Sequence, residues 1–183
     1  DFVVKGNGSN EGNPLFKCDA STGRVGINGV GTPDCELHVD GDIKATGNIN
    51  AKQRFINSSK FSSTDTSQRY VRWDAAGSNG TPGVNNKFVA PCDGELLSVT
   101  IRSTSAADGT NIAFHKASNG TANLNTTAIE TIGVDMSAAN TTYQTTFSGS
   151  TFSAGEILGI SMNPSSQPND VNITCVWLFD WNS

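Results

Sequence analysis

Residues 23–50, GRVGINGVGTPDCELHVDGDIKATGNIN, decide how the chain is read. Val25 and Ile27, Leu37 and Val39, and Ile43 and Ala45 form short apolar–polar alternations, with Gly, Asp or Pro every few positions between them. Period two interrupted by turn residues predicts short strands. Strands this short cannot bury their apolar faces alone, so they need neighbours. Identical copies of the same segment are the nearest neighbours to hand, which makes Val25, Ile27, Leu37, Val39 and Ile43 the expected contacts between copies.

The surrounding composition agrees with strands and turns. Apolar residues make up 36% of the 183 and charged residues 16%, both low for a globular chain. Gly, Ser, Thr and Asn fill the difference, and the Ala/Leu/Glu/Lys mixture that builds helices is scarce. The net charge is −5 with no concentrated run of Lys or Arg, so nucleic acid is not an expected partner. No apolar run reaches the ~18 residues of a membrane-spanning helix, so membrane insertion is not expected either. The chain opens on Asp1-Phe2-Val3-Val4 without Met, as expected of a fragment or processed product of something longer.

Beyond the opening stretch the pattern changes. Residues 1–56 read as one module and residues 57–183 as a second, joined at the Ser-rich segment 57–64. The second module offers strand-length segments at 70–73, 87–90, 95–102, 111–116, 128–134, 142–147, 156–162 and 171–181. Turn signals fall between them and no segment repeats at the helical period, which predicts an antiparallel sandwich or a jelly roll. In the last segment Val171, Ile173, Cys175, Trp177, Phe179 and Trp181 share one parity, while Val176 and Leu178 occupy the other. Apolar residues on both faces predict cover on both faces. A neighbouring copy packed on Val176 and Leu178, or a central position under a long loop, would each supply it.

The opening stretch resembles the shaft-end module of bacteriophage tail fibres. The residues that carry the likeness are Gly23-Arg24-Val25-Gly26-Ile27, Thr32-Pro33, Leu37-His38-Val39, Gly41-Asp42-Ile43 and Ala45-Thr46-Gly47-Asn48-Ile49. It departs where Asn28-Gly29-Val30-Gly31 lengthens a turn and where Cys35 precedes the Leu-His-Val element. Residues 88–96, with Phe88, Ala90-Pro91 and Asp93-Gly94, look like the opening turn of the β-sandwich knobs that end viral fibres. The two likenesses together imply an all-β fibre end: a short intertwined trimeric β-shaft followed by a jelly-roll-like knob. They also imply a homotrimer at the tip of a virion tail fibre, assembled in the host cytoplasm and joined to an upstream fibre or tail protein. Its role would be adhesion to a host-surface glycan or outer-membrane component. A purely structural cap that sets trimer register is the alternative.

The residues that could carry chemistry are few. His38 and His115 stand in no GxSxG, HExxH or related spacing. Most acids of the second module, including Asp93 and Asp108 before glycines and Asp170 after Asn169, sit where tight turns use them. No enzyme, metal or cofactor is therefore expected, although paired acids facing one cleft would reopen the question. Cys18, Cys35, Cys92 and Cys175 are too widely spaced for a zinc or redox motif and leave both free thiols and disulfides open. For binding, Tyr70, Trp73 and Tyr143 lie among amides and hydroxyls that suit a sugar ring. Asn119 and Asn125 lie on a long polar loop, where recognition commonly sits.

Overall fold

The computed structural model describes residues 1–6, 14–47, 51–61, 65–74 and 76–181. It is all-β and divides into two units, Asp1–Ile49 and Asn50–Ser183. The division falls earlier than the join expected after residue 56. Residues 57–61 of the expected Ser-rich join instead form a strand, because a neighbouring strand pairs with them; residues 62–64 lie outside the described residues. Strand preference depends on such partners more than on composition.

The first unit is one sheet, β1 (Phe2–Val4), β2 (Phe16–Asp19), β3 (Arg24–Ile27) and β4 (Leu37–Val39), in that spatial order. The first three pair antiparallel, and β4 runs parallel to β3. Asn28 and Gly29, both at positive φ, turn the chain out of β3. The alternation at Ile43 and Ala45 does not become a strand; residues 42–45 carry no regular structure and are exposed. Asn48, Ile49 and Asn50 lie outside the described residues.

The second unit contains β5 (Lys52–Phe61), β6 (Arg69–Val71), β7 (Ser78–Asn79), β8 (Phe88–Val89), β9 (Asp93–Arg102), β10 (Ala107–Ala117), β11 (Glu130–Met136), β12 (Thr142–Thr146), β13 (Thr151–Phe152), β14 (Ile157–Asn163) and β15 (Val171–Asp180). One sheet runs β12-β9-β15-β5, with β13 beside β9. The other runs β11-β10-β14-β6-β7, with β8 beside β14. All these pairs are antiparallel. Set aside the two-residue strands β7, β8 and β13, and number the rest in chain order. The sheets then read 6-3-8-1 and 5-4-7-2, so strands one to four pair side by side with strands eight to five, as in a jelly roll.

The inner faces meet in a core that includes Leu96, Val99, Ile101, Ile112, Phe114, Leu158, Ile160, Met162, Ile173, Cys175 and Trp177. Trp177 is fully buried, with ring centroids 5.1 Å from Phe88, 6.0 Å from Phe114 and 6.1 Å from Phe152. Its indole N–H donates to Asn57 Oδ1 at 2.8 Å, so the one polar atom of the ring is satisfied at the β5 edge.

β15 lies centrally between β9 and β5, and its residues alternate between buried and half-buried or exposed. On its outer face Val176 stands opposite Ile56 and Ser98, and Leu178 opposite Arg54 and Glu95. Both are half-buried, while Asn172 on the same face is exposed. Trp181, expected to continue the inner face, is 44% exposed and tilts against Phe179 at 6.5 Å. All four cysteines are free thiols: Cys92 and Cys175 are buried, Cys18 is half-buried and Cys35 exposed. Complete burial pushes the Cys175 thiol far above its ordinary value.

Candidate functional site

Among the described residues, three polar concavities open on the second unit. The first, about 460 Å³, gathers Ser58, Ser59 and Lys60 from β5, Asn172, Ile173 and Thr174 from β15, and Trp73, Asp74 and Ala76 from the turn after β6. β6 ends at Val71, which is fully buried and anchors the turn. Arg72 N–H then donates to Gly77 O at 3.2 Å, and Gly77 N–H reaches Lys60 O at 2.9 Å. Gly77 takes φ +143°, a backbone that side chains rarely adopt. The Arg72 guanidinium grips both oxygens of Asp74 at 3.2 Å each. Trp73 is half-buried, its ring edge-on to Phe88 at 6.1 Å. Its Nε1 and the Ser59 Oγ are buried without a hydrogen-bond partner among the described residues. Buried donors in folded proteins rarely stay unpaired, so these two atoms call for a water or ligand oxygen.

The second concavity, about 240 Å³, lies on the outer face of the other sheet. On β10, Ile112 and Phe114 point into the core, while Asn111, Ala113 and His115 face outwards. Register sets Asn111 opposite Asn163, Ala113 opposite Ser161 and Thr131, and His115 opposite Gly159. Over this face lies the loop 118–129, fastened by Leu124, which is buried with Tyr70, Ala117 and Ile157. Gly159 makes room for it: a Cβ there would collide with the Leu124 side chain and with Asn86 O.

His115 is fully buried. Its Nδ1 lies 2.9 Å from Asn125 O and its Nε2 2.8 Å from Ser161 Oγ. A carbonyl only accepts, so Nδ1 carries the proton and Nε2 accepts from the Ser161 hydroxyl. Gln68 Nε2 donates to Ser161 Oγ at 3.0 Å and to Tyr70 Oη at 3.2 Å. Burial holds the imidazole pKa below its ordinary value, against the opposing pull of the backbone bonds from residues 125 and 127.

The third concavity, about 410 Å³, is charged and brings Asp93, Glu95 and Asp180 to one cleft with Lys52 and Lys116. Sequence reading placed Asp93 in a turn and did not anticipate this grouping. Several of its members are engaged: Asp93 Oδ1 accepts from Ala154 N–H at 2.8 Å, Lys52 lies 3.5 Å from Asp180, and Lys116 pairs with Glu156 at 2.9 Å. Among the described residues no group of three or more His, Cys, Asp or Glu is placed to hold a metal ion.

The five residues expected to bind a receptor do not form one surface. Trp73 lines the first concavity. Tyr70 is 3% exposed and its ring lies tilted against His115 at 5.1 Å, so it supports the second concavity from behind. Asn125 contributes its backbone carbonyl to the same support, and its side chain is exposed. Tyr143 is half-buried, and its hydroxyl accepts from Ala138 N–H at 2.8 Å, bracing the turn between β11 and β12. Asn119 is exposed beside Gly155. Lys60, Asn172, Gln68, Asn111, Ser161 and Asn163 were missed. Their neighbours come from distant strands, and only the outward parity of Asn111, Ala113 and His115 was there to be read.

The expected copy contacts differ in exposure. Leu37 is 52% and Ile43 69% exposed, whereas Val25, Ile27 and Val39 are half-buried within their own sheet. Phe2, Val4 and Leu15 add further exposed apolar surface to the first unit.

No family model matches the chain, and no curated protein does. Among solved structures, it is similar to the acid-stable capsid of Helicobacter pylori bacteriophage KHP30, at 13% identity and TM-score 0.35, over 70% of this chain and 92% of that one. It is also similar to dimeric latent PorU from Porphyromonas gingivalis, at 14% identity and TM-score 0.35, over 76% of this chain. A third likeness is to infectious bursal disease virus, Gx strain, at 11% identity and TM-score 0.32, over 75% of this chain. The matches span 14% of the PorU chain and 37% of the bursal disease virus chain. Likenesses this distant carry no argument about function.

Proposed function

We propose that the chain is a structural protein of a virion, the end of a bacteriophage tail fibre, whose second unit attaches to a host-surface glycan. The observation that carries this reading is the fibre-like string of residues 23–49 followed directly by a jelly roll bearing the Trp73 concavity. An aromatic ring beside a lysine, an asparagine amide and hydroxyls is the chemistry that holds a sugar. The chain would work as a homotrimer fixed to an upstream fibre or tail protein. Exposed Leu37 and Ile43 in the first unit, and half-buried Val176 and Leu178 in the second, would meet neighbouring copies. Three weak sites on one axis would then bind with avidity. Catalysis is not part of the proposal, because Asp93 and Asp180 in the charged cleft already serve a turn and an ion pair.

An array of bacterial surface glycans probed with the intact chain tests the reading. Trp73→Ala should weaken the strongest signal about tenfold or more, as loss of a central aromatic anchor does. An unchanged signal would move recognition away from this concavity. The second reading, a cap that only registers the trimer, is favoured by Tyr70 and Tyr143, whose hydroxyls are tied into the fold. It predicts no glycan signal together with a trimeric mass.

A further inference from the structure

We infer that the concavity over β10, β11 and β14 is a second binding site, shaped for a single uncharged sugar ring. The inference rests on this cavity alone and stands whether or not the Trp73 concavity binds anything.

Its back wall is already built. Gln68, Ser161, His115 and the Asn125 carbonyl form one continuous chain of hydrogen bonds, with His115 and Ser161 no more than 1% exposed. Each of these donors and acceptors is fixed by another, so the wall does not need to reorganise when a ligand arrives. The rim is the opposite. Among the described residues the side chains of Asn111, Asn163, Thr126 and Thr131 make no hydrogen bond, and all four are exposed. Two amides and two hydroxyls thus converge on one hollow with their bonding capacity unspent.

The floor explains why the hollow exists. Ala113 and Ala128 occupy positions where a larger side chain would fill the space. They leave a small apolar patch, suited to the C–H face of a ring. The volume is below the ~300–1,000 Å³ of sites for drug-sized ligands, which restricts the occupant to about one ring.

Charge settles the ligand class. The lining contains no Asp, Glu, Lys or Arg. An anionic sugar would find no counter-charge there and would lose solvation on entry. Neutral hydroxyl and acetamido groups match the amides, which donate and accept at once.

The test is saturation-transfer NMR on the intact chain, with methyl glycosides of galactose, glucose and N-acetylglucosamine as probes and sialic acid as the anionic comparison. Transfer to at least one neutral glycoside, stronger than to sialic acid, is expected. All variants are made on Trp73→Ala, which removes the aromatic of the first concavity and should leave transfer at this site intact; adding Ala113→Leu should abolish it by filling the floor. Should Ala113→Leu fail to fold, the double substitution Asn111→Ala, Asn163→Ala decides instead, since neither exposed side chain holds the fold together; about a tenfold loss is expected. Absence of transfer to every neutral probe overturns the inference. So does transfer that survives the decisive variant, or that disappears with Trp73→Ala alone.

Discussion

Burial and two fixed partners leave His115 neutral, and its proton inventory becomes measurable. Its pKa is lowered in the folded chain, so the unfolded chain takes up the proton more readily. The stability this site contributes is complete above the ordinary imidazole value of ~6.5 and declines as pH falls through the folded value below it. Protonation would also place a donor where the Ser161 hydroxyl now donates. Thermal melts between pH 7.5 and 5 should therefore show a steeper loss for the wild-type chain than for His115→Gln; parallel profiles would contradict this. Trp177 is the corresponding case for packing. Trp177→Ala should cost about 3–5 kcal/mol in urea titration. Asn57→Leu, which strands the buried indole N–H, should cost about 1–3 kcal/mol.

Among the elements, β5 and the loop 118–129 owe their form to partners far away in sequence. β5 pairs along its whole length with β15 and, among the described residues, has no second strand beside it. Lys52, Arg54 and Lys60 stand on this edge strand, and charges there discourage further pairing. The loop is held by Leu124 seated over Gly159. Gly159→Ala should force Leu124 out and shift Asn125 off His115, at a cost of about 1–3 kcal/mol. Melting and the His115 imidazole resonances would both register the change, and a variant with wild-type melting would show that the loop is not anchored there.

For the whole molecule, the buried core of the second unit is built from residues between Val71 and Phe179. Residues 50–183 should therefore unfold cooperatively when expressed alone, with a near-ultraviolet circular dichroism signal from buried Trp177. A molten spectrum would mean that the jelly roll needs its upstream unit. The first unit, with Phe2, Leu15, Leu37 and Ile43 half or more exposed, is too small and too open to be stable by itself. Light scattering on the intact chain should give a mass of three copies; a monomer would leave those side chains without cover and remove the basis for the trimer.

Much of the sandwich was legible because period-two alternation reports directly which side of a strand is buried. The segments around β9, β10, β14 and β15 carry that signal plainly. β5 did not, since its Ser and Asn residues become a strand only against β15. Trp73 was legible as an aromatic among polar residues, and it lines a concavity with several of them. The second concavity was not: Gln68, Asn111, His115, Ser161 and Asn163 are scattered over two strands and the segment before β6. The sequence by itself determined the all-β class, the turn positions and the inner face of the last strand, because these follow from local backbone preference and periodicity. Only the tertiary structure decided which polar side chains share a cavity and which exposed apolar ones lack cover. Sheet register brings together residues about a hundred positions apart, and no local preference encodes that pairing.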